Sequence, residues 1–248
     1  MNDSTIWNDE SREDLRDELQ SQIAGEVRLA RSEREEILEL CREVYIYDQC
    51  PEDEWDVFIQ YATEQVEQVA ATLRAEQATW PTETDCDRLD RVEAALRDRG
   101  IILWQVSPCC DTCTIAELGG HVDALDQQYP GLRERLRGYA FFIDQNMAEM
   151  LAESTQISVY LGYGWMSPEN SDVPSRWGTI RRKLFRWFSP DSSDVPDQQY
   201  EKNALGIAHE VCDCLREHGF EPNWDGDFAK KIGLSLDWRR RAMFGEGF

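Results

Sequence analysis

The chain has 248 residues, 41 % of them hydrophobic, which suffices for one large domain or two small ones and excludes wholesale disorder. Its net charge of −23 and pI near 4.4 give a surface that repels phosphate backbones, so no direct nucleic-acid binding is expected. No apolar run approaches the roughly 20 residues that span a bilayer, and the polar, acidic stretch Met1–Glu10 lacks the features of a secretory leader, so a cytoplasmic protein is expected.

Residues 1–100 carry 27 Asp and Glu against 11 Arg and no Lys, and so supply −16 of the −23. A saline cytoplasm or an Arg-biased genome accounts for such acidity without function, and a nucleic-acid mimic is the functional alternative. This first stretch reads as helical. Ser32 with Glu35 makes a capping box ahead of Ile37, Leu38, Leu40, Cys41 and Val44. A long helix is expected from Glu54 to about Ala78, burying Trp55, Ile59, Ala62, Val66, Val69 and Leu73, and ending at Trp80-Pro81. Thr84, with Asp87 three residues on, caps a third helix that runs to Arg99, with Gly100 as its left-handed terminator.

After Gly100 the pattern changes. Ile101–Val106, Tyr139–Ile143 and Ile157–Leu161 are apolar runs of strand length, and Ile232–Trp238 is a fourth. Helical segments lie near Thr114–Gln128, Gln145–Glu153 and Tyr200–His218, the last closed by Gly219. The expected class is α+β: an N-terminal helical layer packed on a mixed four- to five-stranded sheet with flanking helices. Residues 1–80 form the acidic helical region and 81–248 the α+β domain.

Residues 166–199 stand apart as an insertion rich in Ser, Pro and Asp, with Ser-Asp-Val-Pro at 171–174 and again at 193–196. Between the copies, Arg176–Phe188 holds five basic residues, no acidic one and four large aromatics. Trp177, Arg181, Arg182, Lys183, Phe185, Arg186, Trp187 and Phe188 are its candidate contact residues. Three occupants fit them: the chain's own acidic helices, a protein partner, or, less suitably for so short a segment, an anionic membrane surface.

Several blocks resemble one bacterial family. They are Gln77-Ala78-Thr79-Trp80-Pro81, Thr84-Asp85-Cys86-Asp87-Arg88-Leu89-Asp90, Gly100-Ile101-Ile102, and Cys109-Cys110-Asp111-Thr112-Cys113 with Glu117. The likeness continues in Gly138-Tyr139-Ala140-Phe141-Phe142, Leu161-Gly162-Tyr163-Gly164, Trp224-Asp225-Gly226 and Asp237-Trp238-Arg239-Arg240-Arg241. Together these resemble domain-of-unknown-function family 6891, a resemblance that implies no activity. The family's pattern has a His and an Asp in the block that here reads Phe142-Ile143-Asp144-Gln145-Asn146, so any function served by that His is in doubt for this chain.

Eight cysteines in such a chain are expected to be buried thiols, metal ligands or redox groups rather than a disulfide framework. Cys109, Cys110 and Cys113 fall between a strand and a helix start, where the helix dipole and unpaired N–H groups favour a thiolate. Cys110-x-x-Cys113 is the spacing of a redox dithiol and also half of a zinc site, with Cys86 or His121 available by type to complete it. The plainer alternative is that they are small apolar residues lining a tight turn. Cys212 and Cys214 are two apart on a helix and do not share a face, so at most one could join them.

Glu117 lies one turn after Cys113, Asp225-Gly226-Asp227 reads as a hairpin turn, and His218 sits where a cation suits a helix end. No phosphate loop, nucleophile elbow or HExxH motif occurs. On the sequence the leading expectation is a non-catalytic binding or regulatory protein acting through protein–protein contacts. The alternative is a thiol- or zinc-dependent enzyme or redox protein built on the cysteine cluster.

Overall fold

The computed structural model describes residues 7–108, 110–166 and 198–242. These comprise helices α1 (Asp9–Leu29), α2 (Arg34–Leu40), α3 (Tyr47–Gln49), α4 (Trp55–Gln77), α5 (Asp85–Asp98), α6 (Asp111–Gln128), α7 (Leu132–Arg135), α8 (Met147–Glu153) and α9 (Gln198–Glu217). The strands are β1 (Ile101–Ser107), β2 (Gly138–Ile143), β3 (Gln156–Trp165) and β4 (Ile232–Asp237). The fold is α+β, with helices flanking a mixed four-stranded sheet of order β1-β2-β3-β4. Among the described residues no helix is long and apolar enough to cross a membrane.

Two compact units divide the chain. The first gathers residues up to Asp87, Asn146–Ile157 and the stretch from Asp237 on. Its core is built from Leu15, Leu19, Ile23 and Val27 of α1, Ile37 and Leu38 of α2, and Phe58, Ala62, Val66, Ala70 and Leu73 of α4. The fully buried line of α4 therefore differs from the expected stripe. Phe58 and Ala70 lie on it, while Trp55, Ile59 and Val69 flank it half-buried. Trp55 stays partly in water because its indole donates to the Cys50 carbonyl (2.9 Å) and its ring meets Tyr47.

The α2 capping box also sits one residue later than Ser32 and Glu35 would place it. Glu33 is the N-cap, and its backbone N–H donates to Glu36 at 2.8 Å. After Leu40 the helix widens into a π-helical segment, Cys41–Ile46. The extra residue per turn moves Ile46 into the core and turns Val44 out to 50 % exposure, against the α-helical spacing that places Val44 inside. The third helix follows the sequence closely: the Thr84 N–H donates to Asp87 at 2.8 Å, the Asp87 N–H returns to Thr84 Oγ1 at 3.2 Å, and Gly100 has φ +75.

Within this first unit α1 passes close to α8, because Gly25 has no side chain. A Cβ there would lie 1.9 Å from the Ala148 carbonyl oxygen. Downstream, Trp238 is buried and donates its indole N–H to the Arg28 carbonyl at 3.2 Å. Arg241 reaches the Pro81 carbonyl at 2.6 Å.

The second unit holds Arg88–Gln145 and Ser158–Leu236. β1 and β2 run parallel and are joined through α6 and α7, the crossover that a parallel pair requires. α6 covers one face of the pair with Leu118 and Val122 against Ile102, Tyr139 and Phe141. On α9, Ile207 lies so near Gly138 that a Cβ on the glycine would be 2.6 Å from it. β2 and β3 pair antiparallel, setting Tyr139 opposite Gly164 and Phe141 opposite Gly162. A Cβ on Gly164 would fall 2.4 Å from the Tyr139 hydroxyl, and one on Gly162 3.0 Å from the Phe141 ring. The two glycines are thus seats for aromatic rings, and β3 runs past Leu161 to Trp165 to use them. Along β3, Ile157, Val159 and Leu161 point inward while Tyr160 is 63 % exposed, the alternation of a strand with one wet face.

Two substitutions separate close packing from helix propensity. Gly25→Ala gains propensity but drives a methyl into backbone that cannot yield, so it should destabilise by about 1–3 kcal/mol. Gly206→Ala on α9, where nothing lies within 4 Å, should instead stabilise by about 0.5–1 kcal/mol. Urea unfolding midpoints moving in opposite directions would bear this out, and equal shifts would refute it.

A second test uses Glu54. Arg12 Nε bonds its Oε2 at 2.9 Å, Arg12 Nη2 meets Oε1, and the Trp7 indole donates at 2.9 Å. Arg12 first and Trp7 second hold the carboxyl down at about 2. Since the folded value is depressed, the contribution is full above the ordinary glutamate value and disappears as pH falls towards about 2. The thermal midpoint of the wild type should exceed that of Glu54→Gln near neutrality, and the gap should close over that acid window. A gap independent of pH would contradict the ion pair's role.

Candidate functional site

The site grows out of the end of β1. Register with β2 shifts between Trp104 and Ser107, a bulge in the pairing. Val106 takes φ +49, a left-handed conformation that a β-branched residue adopts only where its surroundings enforce it, at a cost of order 1–3 kcal/mol. The turn carries Ser107 inward. Its hydroxyl lies 2.8 Å from Thr114 Oγ1 and donates to the Phe142 carbonyl at 3.2 Å. Thr114 Oγ1 also contacts the Pro108 carbonyl at 3.3 Å, and the Asp144 N–H donates to the Ser107 carbonyl at 2.9 Å. Ser107 and Thr114 are both 0 % exposed, so two buried hydroxyls satisfy each other and tie β1, β2 and the first turn of α6 together.

On that base Cys110 is the N-cap of α6, with extended backbone (φ −145), and its carbonyl accepts the Thr114 N–H at 2.9 Å. Cys113 is three residues on, in the first turn. Their sulfurs lie 3.5 Å apart, a thiol–thiol contact, and both side chains are half-exposed. Asp111 between them pairs with Lys231 Nζ at 2.6 Å. Of the other expected members, Cys109 lies outside the described residues. His121 is two turns further along α6 and stacks on Trp104, with ring centres 4.1 Å apart and planes 4° from parallel. Cys86 is buried at the head of α5 and belongs to the first unit. Glu117 is exposed. The contact residues Trp177, Arg181, Arg182, Lys183, Phe185, Arg186, Trp187 and Phe188 lie outside the described residues, as does the whole of 167–197.

The remaining thiols have another character. Burial pushes Cys41 up to about 12 and Cys50 and Cys212 up to about 11, as befits apolar core residues. One further group emerges only in three dimensions. Cys214, Glu217 and His218, in the last turn of α9 and just beyond it, bring one donor atom each within 4.8 Å of the others. Their i, i+3, i+4 spacing on a helix is the signal that sequence reasoning missed.

Residues 12–178 and 189–242 match the family described as a domain of unknown function (DUF6891), and the chain belongs to that family. The match begins well before residue 77, so the N-terminal helices are part of the family's own domain rather than an appendage. No curated protein and no solved structure matches the chain.

Alkylation with iodoacetamide near neutral pH should label Cys110 and Cys113 well ahead of Cys41, Cys50 and Cys212, read peptide by peptide by mass spectrometry. Labelling of all five at one rate would contradict the separation into half-exposed and core thiols.

Proposed function

We propose that this member of the family is a thiol-dependent redox protein whose working pair is Cys110 and Cys113. The observation that carries the reading is the 3.5 Å sulfur–sulfur approach at the first turn of α6. The buried Ser107–Thr114 contact beneath it supports a fixed rather than a chance geometry. Cys110 occupies the position from which a side chain ordinarily accepts helix N–H groups, which favours a thiolate there.

The step is a thiol–disulfide exchange. The Cys110 thiolate attacks one sulfur of a partner disulfide and forms a mixed disulfide, while the other partner sulfur leaves as a thiolate and takes up a proton. Cys113, deprotonated, then attacks Cys110 Sγ and displaces the second partner sulfur. The partner disulfide ends as two thiols, and the Cys110 and Cys113 thiols end as one disulfide. Two electrons pass to the partner. The basic, aromatic composition of Arg176–Phe188 on an otherwise acidic chain supports a protein as that partner.

Equilibration of the full chain in glutathione buffers of graded potential, with thiols counted after quenching, tests the reading. The wild type should lose two thiols in one reversible two-electron step that maps to Cys110 and Cys113, and Cys113→Ser should lack the step. Retention of both thiols across the series, or a disulfide mapped elsewhere, would overturn it.

A further inference from the structure

We propose that the C-terminal turn of α9 binds a divalent metal ion of the zinc class through Cys214, Glu217 and His218, a site distinct from the thiol pair on α6. Helical spacing sets the three side chains on one face, with one donor atom from each within 4.8 Å of the others. Exposure rises across the set: Cys214 is 0 % exposed, His218 is half-buried and Glu217 is open to water. The floor of the site is therefore a thiol and its mouth a carboxylate, which leaves a path for an ion to enter.

The supporting contacts are those that orient metal ligands. His218 Nδ1 donates to the Cys214 carbonyl at 2.8 Å, which fixes the ring and leaves Nε2 as the lone-pair nitrogen. Arg99 holds Glu217 through Oε2 at 2.6 Å, so Oε1 is the oxygen available to an ion. α9 ends here, and its last carbonyls present the negative end of the helix dipole to a cation. A thiolate, an imidazole and a carboxylate together select a borderline ion such as Zn²⁺ over Mg²⁺ or Ca²⁺, which take oxygen alone. Three ligands from one turn leave a coordination position for water or an incoming group, the arrangement of an exchangeable rather than a closed site.

The test uses Co²⁺ and then Zn²⁺, added to the full chain after chelation and under reducing conditions. The wild type should take up one equivalent of Co²⁺ with a thiolate-to-cobalt absorption band, and Zn²⁺ should displace it. His218→Ala and Glu217→Gln change positions at the rim of the site rather than in the core, and each should weaken uptake at least tenfold. Cys214→Ser should abolish the band. The double variant Cys110→Ser/Cys113→Ser should bind as the wild type does, which separates this site from the redox pair. No uptake by the wild type, an unchanged affinity in His218→Ala, or loss of the band in the double variant would each overturn the proposal.

Discussion

Two hydroxyl groups with no access to water, those of Ser107 and Thr114, meet at 2.8 Å where β1 gives way to α6. Either one left without a partner would cost about 1–3 kcal/mol, so the contact fixes how strand and helix join. Ser107 faces Thr114 only because the chain turns at Val106, and Val106 holds its left-handed conformation only because the bulge and the Phe142 carbonyl leave Ser107 no other place. The strain and the hydrogen bonds depend on each other. Their joint product is a helix start that presents two sulfurs side by side on a rigid base, the support that a working pair needs.

The same economy of space governs the sheet and the helical unit. Gly162 and Gly164 give up side chains so that Phe141 and Tyr139 can lie across β3, and Gly138 does so for Ile207. Gly25 lets α1 approach the backbone of α8. The glycine and aromatic blocks that carry the family resemblance are thus explained by packing, whereas the cysteine block stands at the strand end and helix start where chemistry is commonly placed.

Local signals in the sequence are legible where a single residue type dictates the geometry. Thr84 with Asp87, Gly100 and Gly219 mark helix ends through bonds or positive φ that the structure contains, and the four apolar runs are β1 to β4. What the sequence hides depends on neighbours. The π-helical widening at Cys41 leaves no mark in a 3.6-residue pattern, so Val44 reads as inward. A capping box can start at Ser32 or Glu33 with equal logic until the tertiary packing of Ile37, Leu38 and Cys41 selects one. The thiol pair is legible because its spacing and its place before a helix coincide. The strain at Val106 is not, because no residue type announces it. The two-residue spacing of Cys212 and Cys214 hides a second relation, that of Cys214 to Glu217 and His218 one turn on.

The central claim is that the buried hydroxyl contact prepares Cys110 and Cys113 for one another. The midpoint potential of that pair in Thr114→Val, against the wild type, tests it most directly. Loss of the contact loosens the approach of the sulfurs and disfavours the disulfide, so the potential should move to less negative values by about 30 mV or more, a change of about 1.4 kcal/mol. A potential that stays in place, or moves to more negative values, in a variant that remains folded would contradict the account.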